Sequence, residues 1–212
     1  MKNEDYDFLF NKPEDPKNLK REPVFENKYL ERITVTSPLI ALVCYVPLVV
    51  IAAVHSMANQ YMSTKLTVLM WIAGFIFWSF AEYMIHRYLY HRKTTIVFIR
   101  TLQFLFHGFH HKHPGDKHHL FMPFYGGWPV ACLFFAIFYL LMAQFAFIFF
   151  SGFYSGYLVY VFTHYFIHRF PAPHPWLKPI WRHHLIHHYK YPDKAFGFST
   201  RIWDRLFGTM PP

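Results

Sequence analysis

Ten of the sixteen histidines in this chain of 212 residues stand in four spaced groups. The spacing His-x-x-His-His occurs twice, at residues 107–111 and 184–188, and the other two groups are pairs. Neutral imidazole is a common ligand of transition metals, so grouped histidines indicate a shared metal centre rather than ten separate core residues. The candidate ligands are His86, His91, His107, His110, His111, His164, His168, His184, His187 and His188.

The number of histidines bears on the number of ions. On a helix, positions i, i+3 and i+4 project from one face, so we expect three of the four groups each to present their imidazoles as a unit. His86 and His91 are five residues apart and would lie about 140° apart around a helix. Ten imidazoles exceed what one ion accepts, and two tetrahedral zinc sites would use about eight. We therefore predict two ions with about five imidazoles each, which leaves a position open for oxygen or water.

The chemistry of the donors favours iron. A carboxylate-bridged di-iron centre needs glutamates and Glu-x-x-His pairs, but the acidic residues after position 36 are only Glu82, Asp116, Asp193 and Asp204. The centre is then all-nitrogen, and iron is the metal that adds redox chemistry with O₂. Zinc could occupy the site in purified protein, because nitrogen sites generally hold Zn²⁺ more tightly than Fe²⁺.

The four carboxylates after position 36, Glu82, Asp116, Asp193 and Asp204, are candidates for a supporting role around the metal, because metal-bound imidazoles commonly donate their other N–H to a carboxylate. The two preferred candidates are Glu82 and Asp116. Each also has a structural interpretation. Glu82 could anchor a helix at the membrane interface, and Asp116 follows Pro114 and Gly115 in a segment typical of turns.

Four apolar stretches must position these residues. They cover about 38–57, 66–82, 128–150 and 153–170, close to the roughly 17–25 residues that a membrane-spanning helix needs. The composition agrees, since 54% of the residues are apolar and 22% are aromatic. With a break at Ser151–Gly152, the stretches predict two helical hairpins. The expected fold is all-α, an integral membrane four-helix bundle.

The basic residues predict the orientation of this bundle. Of 21 Lys and Arg residues, all but Lys65 fall on one side of the predicted spans, which the positive-inside bias makes cytoplasmic. The histidines and both termini are then cytoplasmic. The net charge of +9 is explained by orientation, so membrane lipid is an expected partner and nucleic acid is not.

The same map predicts the domain organisation. Residues 1–36 form a cytoplasmic tail and interfacial segment, and residues 37–212 form the catalytic domain, with a cap of residues 83–127 and 171–212. The first 36 residues carry eight of the twelve acidic residues, so we expect no signal peptide there.

Longer motifs around the histidines carry a resemblance to a known family. They are Glu-Tyr-Met-Ile-His-Arg-Tyr-Leu-Tyr-His at 82–91, His-Gly-Phe-His-His-Lys-His-Pro-Gly-Asp at 107–116, Thr-His-Tyr-Phe-Ile-His at 163–168, His-Leu-Ile-His-His-Tyr at 184–189, and the segment 196–209 with Trp-Asp-Arg-Leu-Phe-Gly-Thr. Over about residues 25–209 the chain resembles the membrane fatty acid hydroxylase and sterol desaturase superfamily, and within it the fatty acid 2-hydroxylases. The histidine pattern alone is shared with sterol desaturases and carotenoid hydroxylases. The Gly-x-His-His-x-x-Pro-x-Asp and Trp-Asp-x-x-Phe-Gly-Thr segments are more specific.

The resemblance implies a four-helix membrane bundle with a cytoplasmic helical cap that holds two metal ions on the ten histidines. The reaction it implies is O₂-dependent hydroxylation of a long-chain fatty acyl group, free or in a sphingolipid, at the 2-position. Many relatives carry Asp where this chain has Val161, which removes one possible carboxylate near His164. Eukaryotic members carry a fused b-type cytochrome domain. The 36-residue tail is too short for one, so we expect electrons from a separate ferredoxin or small cytochrome.

Two other functions remain open from the sequence. The first is a related oxidase that acts on a carotenoid or a sterol. The second is a non-catalytic metal carrier or zinc transporter, which would need ligands near the middle of the bilayer. The predicted spans hold Phe, Leu, Ile and Val there, which disfavours transport. The location would be the inner membrane in a bacterium or the endoplasmic reticulum in a eukaryote.

Overall fold

The computed structural model describes residues 23–212, which contain helices and no β-strand. The predicted all-α class is therefore confirmed for the part of the chain that is described. Most of the predicted tail, residues 1–22, lies outside the described residues. The helices are α1 (Lys28–Thr34), α2 (Pro38–Ala58), α3 (Thr64–Met84), α4 (Val97–Gln103), α5 (Phe109–Lys112), α6 (Phe124–Met142), α7 (Ala146–Arg169), α8 (Lys178–Tyr189) and α9 (Ile202–Leu206).

The long helices α2, α3, α6 and α7 form a four-helix bundle. At 1.5 Å per residue their lengths are about 28–36 Å, which matches a hydrocarbon core of about 30 Å. Three helical runs are long and apolar enough to cross a membrane: Pro38–Ala58, Thr64–Tyr90 and Tyr125–Arg169. The third run has 45 residues and contains both α6 and α7. It folds back on itself at Ala143–Phe145, where Ala143 has a φ of 49°.

The turn between α6 and α7 is not where the sequence predicts it. The predicted break at Ser151–Gly152 is wrong, because α7 runs unbroken through both residues. Ser151 donates its hydroxyl to the Val49 carbonyl at 3.0 Å, and a Cβ on Gly152 would collide with the Trp71 carbonyl. Small residues in membrane helices mark close helix contacts. Here they let α7 pack against α2 and α3.

The other span boundaries also shift. The second span begins at Thr64 rather than 66, and α6 begins at Phe124 rather than 128. Two further glycines pack the α3–α7 pair: a Cβ on Gly74 would meet the Phe149 carbonyl, and a Cβ on Gly156 would lie 2.6 Å from Cβ of Trp78. This close helix pair positions four of the ten histidines, because His86 and His91 follow the end of α3 and His164 and His168 lie near the end of α7.

Two helices change pitch as they reach the histidines. Helix α3 continues as a π-helical turn over Ile85–Tyr90, and α4 continues as another over Phe104–Gly108. In the first turn the amide of His91 donates to the carbonyl of His86 at 3.1 Å. This i+5 hydrogen bond is the repeat of a π-helix, so the two side chains lie on the same side instead of about 140° apart.

Candidate metal centre

The ten predicted histidines form two groups at one end of the bundle. The candidate ligand atoms within each group all lie within 4.8 Å of one another. Nine of the ten side chains are buried and His168 is half-buried. The first histidine group is His86, His91, His107, His111 and His187, and the second is His110, His164, His168, His184 and His188.

Each His-x-x-His-His motif divides its side chains between the two groups. In the motif at 107–111 the outer pair joins the first group and His110 joins the second; in the motif at 184–188 the outer pair joins the second group and His187 joins the first. The expectation that each motif presents its imidazoles as one unit is therefore wrong. Positions i+3 and i+4 differ by about 100° around a helix, enough to point them at two neighbouring sites.

The environment keeps these imidazoles neutral. Burial, reinforced by neighbouring imidazoles, lowers the pKa of the histidines outside the spanning segments well below the usual 6.5. A neutral imidazole keeps one nitrogen lone pair, which a metal ion needs. The residues with this lowered pKa are His91, His107, His110, His111, His184, His187 and His188.

Two backbone carbonyls fix which nitrogen carries the proton. Nδ1 of His86 lies 2.7 Å from the carbonyl oxygen of Phe196, and Nδ1 of His187 lies 2.7 Å from that of Lys194. A carbonyl can only accept, so both Nδ1 atoms carry hydrogen. The Nε2 lone pairs of these two histidines then point into the first group. Carbonyl partners of this kind orient metal-bound histidines in proteins.

The spacing of the nitrogens fits ions bound between them. Within the groups, neighbouring Nε2 atoms lie 2.8–3.2 Å apart. Two nitrogens bound about 2.1 Å from one ion and at right angles would lie about 3.0 Å apart. Nε2 of His164 is buried and has no hydrogen-bond partner among the described residues, although a buried polar atom normally has one. The residues therefore fit two nitrogen-coordinated ions.

A segment near the C-terminus covers both groups. The ring of Phe196 stands edge-on to His86, His91 and His187, with centroids 5.4–5.7 Å apart. The ring of Phe198 stands edge-on to His164 and His184 at 5.4 and 4.9 Å. With the two carbonyls, this makes residues 194–199 a clamp over the histidines. The sequence motif at 196–209 marked the segment, but no residue pattern assigned it this role.

Two carboxylates hold the clamp in place. Glu82 accepts hydrogen bonds from the amides of Phe198, at 2.6 Å, and Ser199, and from the Ser199 hydroxyl. Asp204 accepts from the amides of Phe196 and Gly197 at 2.9 and 2.7 Å. Glu82 therefore acts on the backbone beside the histidines, and among the described residues its hydrogen bonds go to this segment instead of to an imidazole.

Asp116 lies in a different network. It accepts from Nδ1 of His119 and from the amide of His118, both at 2.8 Å. Burial raises the pKa of Asp116, but these hydrogen bonds outweigh it and hold the pKa below the usual value. Nε2 of His119 in turn lies 3.3 Å from Oγ1 of Thr34 and 3.5 Å from a carboxylate oxygen of Glu31. The structure thus places Asp116 between α1 and the loop after α5, and not against the ten histidines.

An apolar cavity in the bundle ends at both histidine groups. This bundle cavity is walled by Tyr45, Trp78, Val130, Phe134, Tyr154 and Tyr157, and at its end by His86, His107, His110, His164 and His184. Val161 also lines it. Two further tyrosines, which the sequence did not single out, cover imidazoles: Tyr90 stacks on His107 at 4.9 Å and Tyr160 on His164 at 5.8 Å. A hydrocarbon chain in this cavity would reach the centre.

Comparison with known proteins shows which family this chain is similar to. The profile of the family described as fatty acid hydroxylase matches residues 71–209, a region that contains all ten histidines. The chain belongs to the fatty acid hydroxylase family. This family membership confirms the resemblance drawn from the motifs.

Individual relatives agree with this family assignment. The chain is 32% identical over 212 residues to the dihydroceramide fatty acyl 2-hydroxylase FAH1 of Arabidopsis thaliana, covering 98% of this chain and 87% of the plant protein. It is 39% identical over 153 residues to the fatty acid 2-hydroxylase of Mus musculus, covering 68% of this chain and 40% of the mouse protein. The chain therefore spans less than half of that relative's length.

A solved structure shares the fold. The structure described as full-length scs7p, in which only the hydroxylase domain is visible, superposes with a TM-score of 0.81 at 31% sequence identity. The match covers 90% of this chain and 72% of that one. The bundle and its histidine-bearing cap are thus the architecture of a hydroxylase domain.

Proposed function

We propose that this protein is an O₂-dependent monooxygenase that hydroxylates long-chain fatty acyl groups, free or in a sphingolipid, at the 2-position. The observation that carries the proposal is the apolar bundle cavity that ends at both histidine groups. The named activities of the plant and mouse relatives support an acyl substrate and the 2-position over a carotenoid or sterol. A metal carrier is disfavoured because the histidines stand at one end of the bundle.

We assign the two histidine groups to two iron ions. When bound, the irons would supply the O₂-dependent oxidising chemistry that no side chain provides, while two electrons and two protons enter from outside. The all-nitrogen donor set supports iron with an open position, and it would also retain Zn²⁺ during purification. Hydroxylation puts one oxygen atom of O₂ into the C–H bond, and the other leaves as water.

The protein's own contribution is to position the chain and exclude water. The bundle cavity would hold the acyl chain along Phe134, Tyr154 and Tyr157, with its carbonyl end at the histidines. Holding one methylene beside the reactive centre is worth several kcal/mol, about 7–11 in well-oriented systems. Phe198 of the clamp lines the same cavity beside His164 and His184.

The orientation in the membrane is part of the proposal. Among the described residues, every Lys and Arg except Lys65 lies outside the long helices or at their histidine-bearing ends, which supports a cytoplasmic metal centre and cytoplasmic termini in a multi-pass protein. Residues 37–212 would form the hydroxylase domain. Helix α1, with exposed Tyr29 and Ile33, suits an interfacial segment after the cytoplasmic tail.

A separate acidic protein would deliver the electrons. A surface groove reaches His91 of the first histidine group from the cap side, and it is lined by Arg87, Arg92 and Lys194 together with Asp193. Positive charge at this opening supports docking of a ferredoxin or small cytochrome with an acidic face.

The test is lipid analysis of cells that make the protein. Expression should add 2-hydroxy acyl chains to the lipid extract, detected by mass spectrometry, and the paired variant His110→Ala with His187→Ala should not. Hydroxylated carotenoid or sterol in place of these products would contradict the acyl assignment. No oxidised lipid together with full metal content would favour the carrier.

A further inference from the structure

A second apolar cleft lies beside the bundle cavity, beneath α1. This α1 cleft is walled by Leu30 and Ile33 of α1 and by Leu105, Phe109, Phe121 and Pro123 from the segments below it. An alkyl chain in this cleft would be stabilised by removal of its apolar surface from water. The chemistry of the cleft therefore fits hydrocarbon.

The two spaces share a wall. Phe106, Leu120 and Met122 line both, and so do His110 and His119. His110 belongs to the second histidine group, so the place where the spaces adjoin is next to the metal centre. Polar atoms are present there in an otherwise apolar surface, on His119 and on Thr34.

Helix α1 is fastened over the cleft at three points. The Tyr125 hydroxyl donates to the Ile33 carbonyl, the amide of Thr36 donates to the His118 carbonyl at 2.9 Å, and His119 bridges Asp116 to Thr34. These contacts hold the roof of the cleft in a fixed place. A roof held this way favours a defined binding site over a transient gap between helices.

We propose that the α1 cleft binds the second alkyl chain of a two-chain lipid whose acyl chain occupies the bundle cavity. The inference rests on the proposed function. For hydroxylation at the 2-position, the acyl carbonyl must lie near the metal centre, and the linkage to a second chain then lies at the shared wall. The second chain leaves in the direction of the cleft, and the polar linkage meets His119 and Thr34.

A binding experiment separates this site from the acyl cavity. The probes are palmitic acid, with one chain, and N-palmitoyl dihydrosphingosine, with two, measured by native mass spectrometry on the full chain. Leu30→Trp fills the cleft from the roof and Leu105→Trp from the opposite wall. Leu140→Trp is the matched control, because Leu140 is 84% exposed on the outside of α6.

Each cleft variant should weaken binding of the two-chain lipid about tenfold or more, since about 1.4 kcal/mol is one factor of ten, and should leave palmitic acid unchanged. The control should bind both lipids as the unaltered protein does. Equal weakening for both lipids would show that the cleft is only a route into the bundle cavity, and no weakening for either would show that it holds no substrate. Both results overturn the proposal.

A crosslinking experiment locates the chains directly. A photoreactive group near the end of the sphingoid chain should label residues 24–33 and 105–123, and the same group on the palmitoyl chain should label α6 and α7. Labelling of the same peptides by both probes would contradict separate sites. Failure of the proposed function is distinguishable, because absence of hydroxylated product leaves these binding results intact.

Discussion

At the scale of single residues, the division of each His-x-x-His-His motif is the central finding. The two motifs exchange one histidine, so that His110 serves the second group and His187 the first. Each group is therefore completed by a side chain from the other motif. All five histidines of either group could bind one ion only when the segments around residues 107–111 and 184–188 are packed together.

This exchange makes a prediction about metal content. His187→Ala removes one ligand from the first group and His110→Ala one from the second, so each should lower bound metal from about two ions to about one per chain and abolish turnover. Elemental mass spectrometry of the purified variants measures this. His118→Ala is the control and should change neither quantity, because His118 lies outside both groups. Equal metal content in all three variants would defeat the ligand assignment.

The burial of the imidazoles makes a prediction about pH. Their pKa is lowered in the fold and is about 6.5 in the unfolded chain, so below pH 6.5 the unfolded state binds more protons. Each such histidine costs the metal-free fold up to about 1.4 kcal/mol per pH unit in that range. The unfolding temperature of metal-free protein should stay level above about pH 7.5 and fall as the pH is lowered through 6.5 to 5.5. A flat profile through pH 5.5 would contradict the burial of neutral imidazoles.

At the scale of elements, the clamp of residues 194–199 connects the end of the chain to the bundle. Glu82 on α3 fixes Phe198, and Asp204 on α9 fixes Phe196 and Gly197. Asp204 also accepts a hydrogen bond from His183, at 2.9 Å, which ties α9 to α8. The carboxylates thus support the metal centre through the backbone, one layer further out than the sequence predicts.

The two candidate carboxylates should behave differently when neutralised. Glu82→Gln weakens the acceptor of the Phe198 and Ser199 amides, so the clamp should loosen and metal affinity should fall by about 10–100-fold, as for other supporting partners of metal ligands. Asp116→Asn is the matched control, because its partners are His118 and His119. Asp116→Asn should change the metal affinity by no more than a few-fold from that of the unaltered protein. Competition with a chelator measures both, and equal effects would refute the different roles.

The glycines between α3 and α7 carry a stability prediction. Gly152→Ala places a methyl group against the Trp71 carbonyl, a backbone atom that cannot move aside, so it should cost about 1–3 kcal/mol. Gly126→Ala is the control: its Cβ would lie 3.3 Å from Cε1 of Phe106, the end of a side chain that can adjust. In detergent, the midpoint temperature of thermal unfolding should be clearly lower for Gly152→Ala and nearly unchanged for Gly126→Ala. Equal midpoints would argue against close α3–α7 packing.

At the scale of the whole molecule, the charge distribution separates two surfaces. The bundle exposes apolar side chains such as Leu140 and Leu141, and the cap of residues 83–127 and 171–212 carries twelve of the sixteen described Lys and Arg residues. The groove at His91 brings the basic residues Arg87, Arg92 and Lys194 beside a histidine of the first group. A second basic groove, lined by Lys178, Arg182 and Arg201, contains none of the ten histidines.

These two grooves allow a controlled test of donor docking. Reversing charge with Arg92→Glu and Lys194→Glu should slow reduction of the metal centre by an acidic ferredoxin about tenfold or more at low salt, and the difference should shrink as salt rises. Lys178→Glu with Arg182→Glu should have little effect. Stopped-flow spectroscopy follows the reduction, and a small chemical reductant should act equally on all variants. If the second pair has the larger effect, the donor docks elsewhere.

Much of this protein follows from its sequence because the determining patterns are local. Runs of about 20 apolar residues predict the long helices, because a helix that spans a bilayer needs about that length. The spacing of the ten histidines fixes a nitrogen-rich centre, since few other arrangements accommodate so many imidazoles. The family motifs, such as residues 107–116, then fix the class of reaction.

The tertiary structure decides what depends on contacts between distant segments. The positions of Ser151 and Gly152 inside α7 are set by Val49 and Trp71 on other helices, which no local pattern encodes. The assignment of His110 and His187 to opposite groups, and the contact of His86 with the Phe196 carbonyl, depend on packing between segments that are 76 to 110 residues apart in the chain. Local spacing determines which residues can bind a metal, and packing determines which of them share one.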